Sequence, residues 1–515
     1  MAADFADLGA KGTTVADFFG MDFILEQRIV AGLLNHHLVG LDTPLYYDQK
    51  ADPVSIGDDA ARPVIRQASQ HMFHTVMASL FPQLQVQVGQ SLLGGYFYEL
   101  QGECNLEQVA SQASQALERL RLEDRPFRSL TVSTEVAARV LGQSSASKAG
   151  LLRVWPHPLV RLVSLNGALD IQHGPYPLST AFLPELTVRA FGPGLVLQFA
   201  SEQDSTGGGG QALLRSYLET RDWNRMLGVA NVGQLNQSIL EDRFEEVVRL
   251  SEALHEKKLV EIAREVHQRK VRVVCLAGPS SSGKSTVAHR LATQLQVAGL
   301  RPSMLSLDNY YRDRTDMPKD SAGLRDFEAP EALDLPLLSQ HLEQFFLSEK
   351  VRVPQFDFVH GVRIDEQKWT EIEGGPNRVL LVEGLHALNP RIWTTVASSP
   401  GIYRIFVSAL TQLVIDEHNR IQTSKVRLLR RIVRDRRYRG TPAGETLLRW
   451  RSVRRGEELH VFPFQEETDA LFNSSLVYEA AVLKVFAQRY LLEVPRDHPA
   501  QGEAHQLLKF LELFV

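Results

Sequence analysis

Residues 273–286 read VVCLAGPSSSGKST: five apolar residues, a run of small ones, then a lysine and two hydroxyls. Gly278, Pro279, Ser280, Ser281, Ser282, Gly283, Lys284 and Ser285 fit the pattern G-x-x-x-x-G-K-[ST]. Small residues let successive backbone N–H groups curl around an anion, and the helix that follows points its positive end at the same place. In this pattern Lys284 reaches the β- and γ-phosphates of ATP, while the Ser285 hydroxyl, with Thr286 beside it, helps to hold Mg²⁺. A buried strand before the loop and a helix after it are the context this chemistry requires. The local fold is therefore predicted to be strand–loop–helix.

The texture of the chain from 271 onward agrees with that constraint. Short apolar runs (VRVVCLAG, RPSMLSLD, RVLLVEG, YRIFVSAL) alternate with helical segments, the pattern of a parallel sheet with helices on both faces. In such a sheet the strand C-termini line the ligand crevice. Asp308, which ends MLSLD, is then expected near the phosphates, placed to accept a proton from an attacking hydroxyl; the competing reading is a helix cap. Glu383, which ends RVLLVE, occupies the position of a Mg²⁺-binding acid. Further on, KVRLLRRIVRDRRYRG places Arg427, Arg430 (or Arg431) and Arg434 on one helix face. Such a face closing over ATP offsets charge on a transferring phosphoryl group; a solvated face and an RNA-binding stripe are the alternatives. Arg436, Arg437, Arg439, Arg451, Arg454 and Arg455 extend the basic region.

At 515 residues the chain exceeds what one core supports, so several domains are expected. The N-terminal half mixes strand-like runs (QVQVGQ, GLVLQFA) with helical ones (QHMFHTVMASLF), which predicts α+β. STGGGG at 205–210 reads as a surface loop. Residues 234–269 lack Gly and Pro and predict one or two connecting helices, with Leu240, Phe244, Val247, Val248, Leu250 and Leu254 as their apolar stripe. Net charge is −5, which advertises neither a nucleic-acid nor a membrane partner. Cys104 and Cys275 form no C-x-x-C pattern, so neither a disulfide framework nor a cysteine zinc site is expected. The start shows no basic-then-apolar leader and no run approaches a membrane span, so a cytoplasmic location is expected.

The C-terminal half resembles the uridine kinase and phosphoribulokinase family. GPSSSGKS, SLDNYY, DFEAPEALD, VPQFDF, LLVEGLHAL and RLLRRIVRDRRYRG stand in the family's order over about 240 residues. The resemblance implies an ATP- and Mg²⁺-dependent phosphotransferase acting on a small molecule, a nucleoside. It makes Asp308 the general base for the 5′-hydroxyl, Glu328 the acid that grips the ribose hydroxyls, Tyr311 and Phe356 the aromatic residues at the acceptor, and Arg427, Arg430, Arg431 and Arg434 the lid arginines, with Arg427 also at the substrate. The histidine that reads the pyrimidine edge in uridine–cytidine kinases falls on Gly361, with His360 one position away, so the base is left open. Family members often form homo-oligomers.

The N-terminal half resembles the front of threonyl-tRNA synthetase. LLNHHLVGLDTPL is similar to the end of its TGS-type β-grasp domain. VIRQASQHMFHTVMASLFPQLQVQVGQSLLGGYFYEL and DIQHGPYPLST are similar to parts of its editing domain. The expected organisation is a TGS-like domain at 1–62, an editing-like domain at 63–225, a helical connector at 226–270 and the P-loop kinase domain at 271–515. The four editing-site positions read Gln67, His71, Gln172 and Tyr176. Glutamine is a poor metal ligand and no acid or base near neutral pH, so a retained fold without the synthetase's hydrolytic site is expected. His71 and His74 share one helix and read as structural. Two other functions stay open: a sugar-phosphate kinase that uses the surplus arginines, and an RNA-associated regulator, which the net negative charge disfavours.

Overall fold

The computed structural model describes residues 13–46, 49–199, 210–319, 323, 325–347, 350–375, 378–393 and 401–515. STGGGG falls outside them, apart from its last residue. The chain opens with two short helices, α1 (Val15–Phe19) and α2 (Met21–Glu26). They lie beside an antiparallel sheet of β1 (Ile29–Leu34), β2 (His37–Val39) and β3 (Ala51–Ser55), in the order β2-β1-β3. Helix α3 (Arg62–Leu80) follows, with Pro63 in its first turn, where a missing N–H costs nothing.

Next come β4 (Gln85–Leu92), β5 (Gly95–Gln101), α4 (Leu106–Leu122), β6 (Arg128–Ser133), α5 (Thr134–Leu141), α6 (Ala146–Arg153), β7 (Leu159–Leu165), β8 (Ala168–Ile171), β9 (Leu186–Phe191) and β10 (Gly194–Phe199). They form two antiparallel sheets, β4-β5-β10-β9 and β6-β7-β8. Helices α7 (Gln211–Met226), α8 (Val232–Leu240) and α9 (Phe244–Gln268) lead to the second half.

That half holds β11 (Val273–Ala277), α10 (Lys284–Val297), β12 (Pro302–Ser306), α11 (Leu335–Leu347) and four short strands, β13 (Lys350–Val353), β14 (Phe356–Asp357), β15 (Val362–Arg363) and β16 (Thr370–Glu373). It continues with β17 (Val379–Glu383), α12 (Pro390–Trp393), β18 (Ile402–Ser408), α13 (Thr423–Tyr438), α14 (Ala443–His460), β19 (Ala470–Asn473), α15 (Glu479–Leu492) and α16 (Gln501–Leu511). Its central sheet is parallel throughout, in the order β12-β17-β11-β18-β19.

Strand β11 shows why helices must cover both faces. Side chains alternate across a strand: Val273, Cys275 and Ala277 pack with α11, while Val274 and Leu276 pack with α9 and α10. Cys275 is a fully buried core residue whose thiol pKa is pushed up by burial, and Cys104 is a separate exposed thiol.

The stripe expected on the connector is only partly right. Leu240 and Leu250 are exposed, and the buried face of α9 runs through Val247, Ser251, His255, Leu259, Ile262, Ala263 and Val266. The break between α8 and α9, with Asp242 at φ +56°, resets the phase, so Leu240 does not continue the stripe. Among the described residues no helix is long and apolar enough to cross a membrane.

One apolar core ignores the expected boundaries. Leu141, Leu152 and Leu162 of the first half share it with Val232 and Val247 of the connector and with Leu413, Ile415 and Leu429 of the second.

Candidate active site

The register of the parallel sheet assembles the site. Strand β11 runs straight into the phosphate loop, and Glu383 at the end of β17 stands level with Leu276 on one side and Ser306 on the other. Asp308 lies two residues past Ser306, in a single 3₁₀ turn, Leu307–Tyr310. Three neighbouring strands thus deliver the loop, Glu383 and Asp308 to one edge, as strand ends in an open α/β sheet do.

The loop needs its glycines. A Cβ on Gly278 would collide with the Val407 carbonyl of the next strand. Gly283 has φ +87°, and Ser281 takes φ +58° at a cost of about 1–2 kcal/mol. Left-handed residues in such a turn aim successive N–H groups into one concavity. The hydroxyls of Ser281 and Ser282 are buried there without a hydrogen-bond partner. The Lys284 ammonium donates to the loop's own carbonyls, Gly278 at 2.9 Å and Pro279 at 3.2 Å. Burial lowers the Lys284 pKa, and Asp308, Glu383 and Glu328 oppose the shift. A cradle with spare donors and a desolvated ammonium fits a triphosphate.

The Ser306 hydroxyl donates to Glu383 Oε1 at 2.6 Å, and Ser285 also hydrogen-bonds this carboxylate. Burial and the nearby Asp308 raise the Glu383 pKa against those two hydroxyls. Ser285 and the two acids offer only oxygen, the donor set of a hard cation such as Mg²⁺. Among the described residues no three His, Cys, Asp or Glu side chains converge as a metal cage. An ion here would share its remaining positions with phosphates and water, as Mg²⁺ commonly does.

Beyond Asp308 the site opens onto aromatic residues. Tyr311 and Phe356 have ring centroids 5.9 Å apart, and Phe356 and Phe358 5.2 Å. The phenol of Tyr311 is held far above its ordinary pKa by burial, helped by Asp308 and Glu328. Glu328 is pushed up to about 7, first by burial, with Arg431 opposing and Glu457 adding to the shift. It packs so closely on α14 that a Cβ at Gly456 would collide with its side chain.

The arginines of α13 divide by partner. Arg427 is fully buried, ion-paired with Glu457, and donates from Nε (3.1 Å) and Nη2 (2.9 Å) to the Ser280 carbonyl. Glu457 in turn accepts the Ser280 N–H at 2.7 Å. Arg430 turns to Glu479 and to the Ser474 carbonyl, and Ser474 donates to the Ser282 carbonyl. Arg431 donates to the Ser280 hydroxyl at 2.7 Å and interacts with Glu328, while Arg434 interacts with Lys284 and bonds Asp435 at 2.9 Å. Glu457 carries no motif that a reader of the sequence would notice. It is found only once α14 is seen to cross behind the loop.

Residues 273–479 match the phosphoribulokinase / uridine kinase family. A uridine kinase of Deinococcus deserti is 32% identical over 168 residues, which cover 33% of this chain and 70% of that protein. Another, of Mycoplasma pneumoniae, is 30% identical over 210 residues, covering 41% of this chain and 88% of the relative. The chain belongs to the phosphoribulokinase / uridine kinase family. It is an ATP-dependent kinase, and its parallel five-stranded sheet with helices on both faces fits the P-loop kinase fold. A solved structure of a possible uridine kinase from Bacillus stearothermophilus is 14% identical and covers 42% of this chain and 98% of that one, with a TM-score of 0.29, too low to bear on the fold.

Gly361, on which the resemblance places the base-reading histidine, has φ +73°. His360 points outward and pairs with Asp357 at 2.6 Å. In the first half, His71 lies edge-on to Tyr176 at 5.9 Å, and Gln67 hydrogen-bonds Tyr176. Burial lowers His71 to about 4, and it holds His74 well below the usual imidazole range. Both rings are neutral near pH 7.

Proposed function

We propose that this kinase phosphorylates the 5′-hydroxyl of a nucleoside. The observation that carries the reading is the position of Asp308: in the turn just past β12 it interacts with Lys284, Glu383 and Tyr311, and Tyr311 packs with Phe356. When bound, ATP supplies the electrophilic γ-phosphorus and Mg²⁺ the neutralising charge. Ser285 and Glu383 are assigned to the ion, and residues 278–286 to the phosphates. Asp308 takes the proton of the acceptor hydroxyl and directs its lone pair in line with the leaving oxygen.

Lys284, Arg431 and Arg434 face charge that grows on the phosphoryl oxygens. Arg427 and Arg430 act on the same step from behind, by fixing the loop backbone through Ser280 and Ser474. Glu328 accepts ribose hydroxyls, and Tyr311 and Phe356 pack on the acceptor and exclude water that would otherwise waste ATP. The half up to residue 225 is read as a synthetase-like fold without the hydrolytic site, since Gln67 and Gln172 occupy two of its four positions.

The test is ADP release by the purified full chain with ATP, Mg²⁺ and each common nucleoside in turn, with ribulose 5-phosphate alongside. Turnover that depends on a nucleoside supports the reading. Turnover with the sugar phosphate alone, or none with any acceptor, overturns it.

A further inference from the structure

Two arginines on the acceptor side have no task in the mechanism above. Arg439, the C-cap of α13, lies 4.9 Å over the Phe358 ring. It interacts with Asp308 and Tyr311, and Asp435 is 3.8 Å from it. Arg314 reaches the same hairpin from the turn after β12. Its N–H donates to the Gly361 carbonyl at 2.9 Å, and its guanidinium lies against the bare face of Gly361, where a Cβ would stand 2.6 Å from Nε. The Phe358 carbonyl is 3.5 Å from Nη2.

Tyr311, Phe356 and Phe358 form an apolar wall against which a planar ring can stack. The rim of that wall decides which ring edge is tolerated. A guanidinium carries five donors and no acceptor. The hairpin's carboxylate, Asp357, is already taken by the Val359 and His360 N–H groups and by the His360 ring. Asp313 accepts the N–H of Arg363 on Oδ1. Among the described residues of the rim, the two guanidiniums offer more hydrogen-bond donors than Asp357 and Asp313 leave free acceptor oxygens.

We propose that Arg314 and Arg439 select the acceptor substrate by donating to a pair of adjacent hydrogen-bond acceptors, as the O6/N7 edge of an oxopurine nucleoside presents. A phosphate monoester offers the same chemistry, so a sugar phosphate is the second source to be distinguished. An adenine ring would turn its N6 amino donor toward a cation and lose one of the two bonds. The inference rests on the assignment of the Tyr311–Phe356 wall to the acceptor.

The experiment measures kcat/KM of the full chain for guanosine, inosine, adenosine, uridine and ribulose 5-phosphate, for the native protein and for R314Q, R439Q and R439K, with thermal melting of each variant to confirm folding. The expected result is a preference of about tenfold or more for guanosine and inosine over adenosine. Each Gln variant should remove most of it through the acceptor KM rather than the ATP KM. R439K should fail to restore it, because an ammonium lacks the planar fork. A dominant ribulose 5-phosphate activity that R439K partly retains assigns the same pair of arginines to a phosphate. Efficient phosphorylation of adenosine or uridine, with the Gln variants lowering all acceptors alike, overturns the inference while the nucleoside kinase reading survives. No turnover with any acceptor overturns both.

Discussion

Asp308 and Glu328 are both carboxylates assigned to the acceptor in the proposed mechanism, and their surroundings suit them to different work. In Asp308→Asn the side chain keeps its size but cannot take a proton. The expected kcat loss is about 10²- to 10⁴-fold with ATP affinity retained, read by ADP release and by nucleotide titration. Near-native turnover would remove Asp308 from the proposed mechanism. Glu328, pushed up to about 7, is largely protonated at pH 6 and ionised at pH 8. An ionised carboxylate accepts ribose hydroxyls better, so the acceptor KM should fall as pH rises across that range. Glu328→Gln should raise the KM and flatten the profile. The same raised pKa makes the folded chain hold this proton more tightly than the unfolded one, whose carboxyl titrates near 4.5. Stability from this group is therefore complete below about 4.5 and is lost as pH climbs through about 7. Asp308 could be read from the convergence of strand ends in a parallel sheet, whereas Glu328 lies in the loop ahead of α11 and was marked only by the family resemblance. The shift on Glu328 was not legible, since it comes from burial against Gly456 on a helix more than a hundred residues away in sequence.

On the scale of elements, the helix α13 shows where sequence reading stops. Spacing alone places Arg427, Arg430 (or Arg431) and Arg434 on one face; Arg427 and Arg431 bond the loop at Ser280, while Arg434 bonds Asp435. What spacing cannot supply is the partner on the other side. Glu457, Glu479 and Asp435 decide which arginine is a strut and which has charge to offer, and two of the three come from later helices. Arg427→Met leaves Glu457 buried without its counter-ion, which should cost about 3–5 kcal/mol in denaturant unfolding. The double variant Arg427→Met with Glu457→Leu should recover much of that, because a well-packed apolar pair often matches a buried ion pair. Its ATP affinity should stay weakened, since Ser280 has lost the partners of both its N–H and its carbonyl. If the double variant bound ATP as tightly as the native chain, the strut would be irrelevant to the phosphate loop.

Across the whole molecule, the two halves are one folded body. Lys148, buried on α6, pairs with Asp170 of β8 at 2.9 Å and meets the His418 ring from the kinase half at 2.8 Å. His418 stacks on His74, and the N–H of Val88 donates to the Glu417 carbonyl. The segment 414–420 is thus wedged into the first half, and it leads directly into α13. Nothing in the sequence marks it, because each residue makes sense only against a surface supplied by the other half. Cutting the chain at 271 would bare Leu413, Ile415 and Ile421, now buried in the shared core. At about 1.5–3 kcal/mol each, exposing three such side chains costs about 5–9 kcal/mol, close to the whole margin of about 5–15 kcal/mol that holds a domain folded. The fragment 271–515 should therefore aggregate or bind a hydrophobic dye where the full chain melts cooperatively. A fragment that melts as sharply as the full chain, with equal turnover, would mean that the first half contributes no support to the arginine helix. Loss of folding restored by adding residues 1–270 as a separate chain would locate that support in the seam at 414–420.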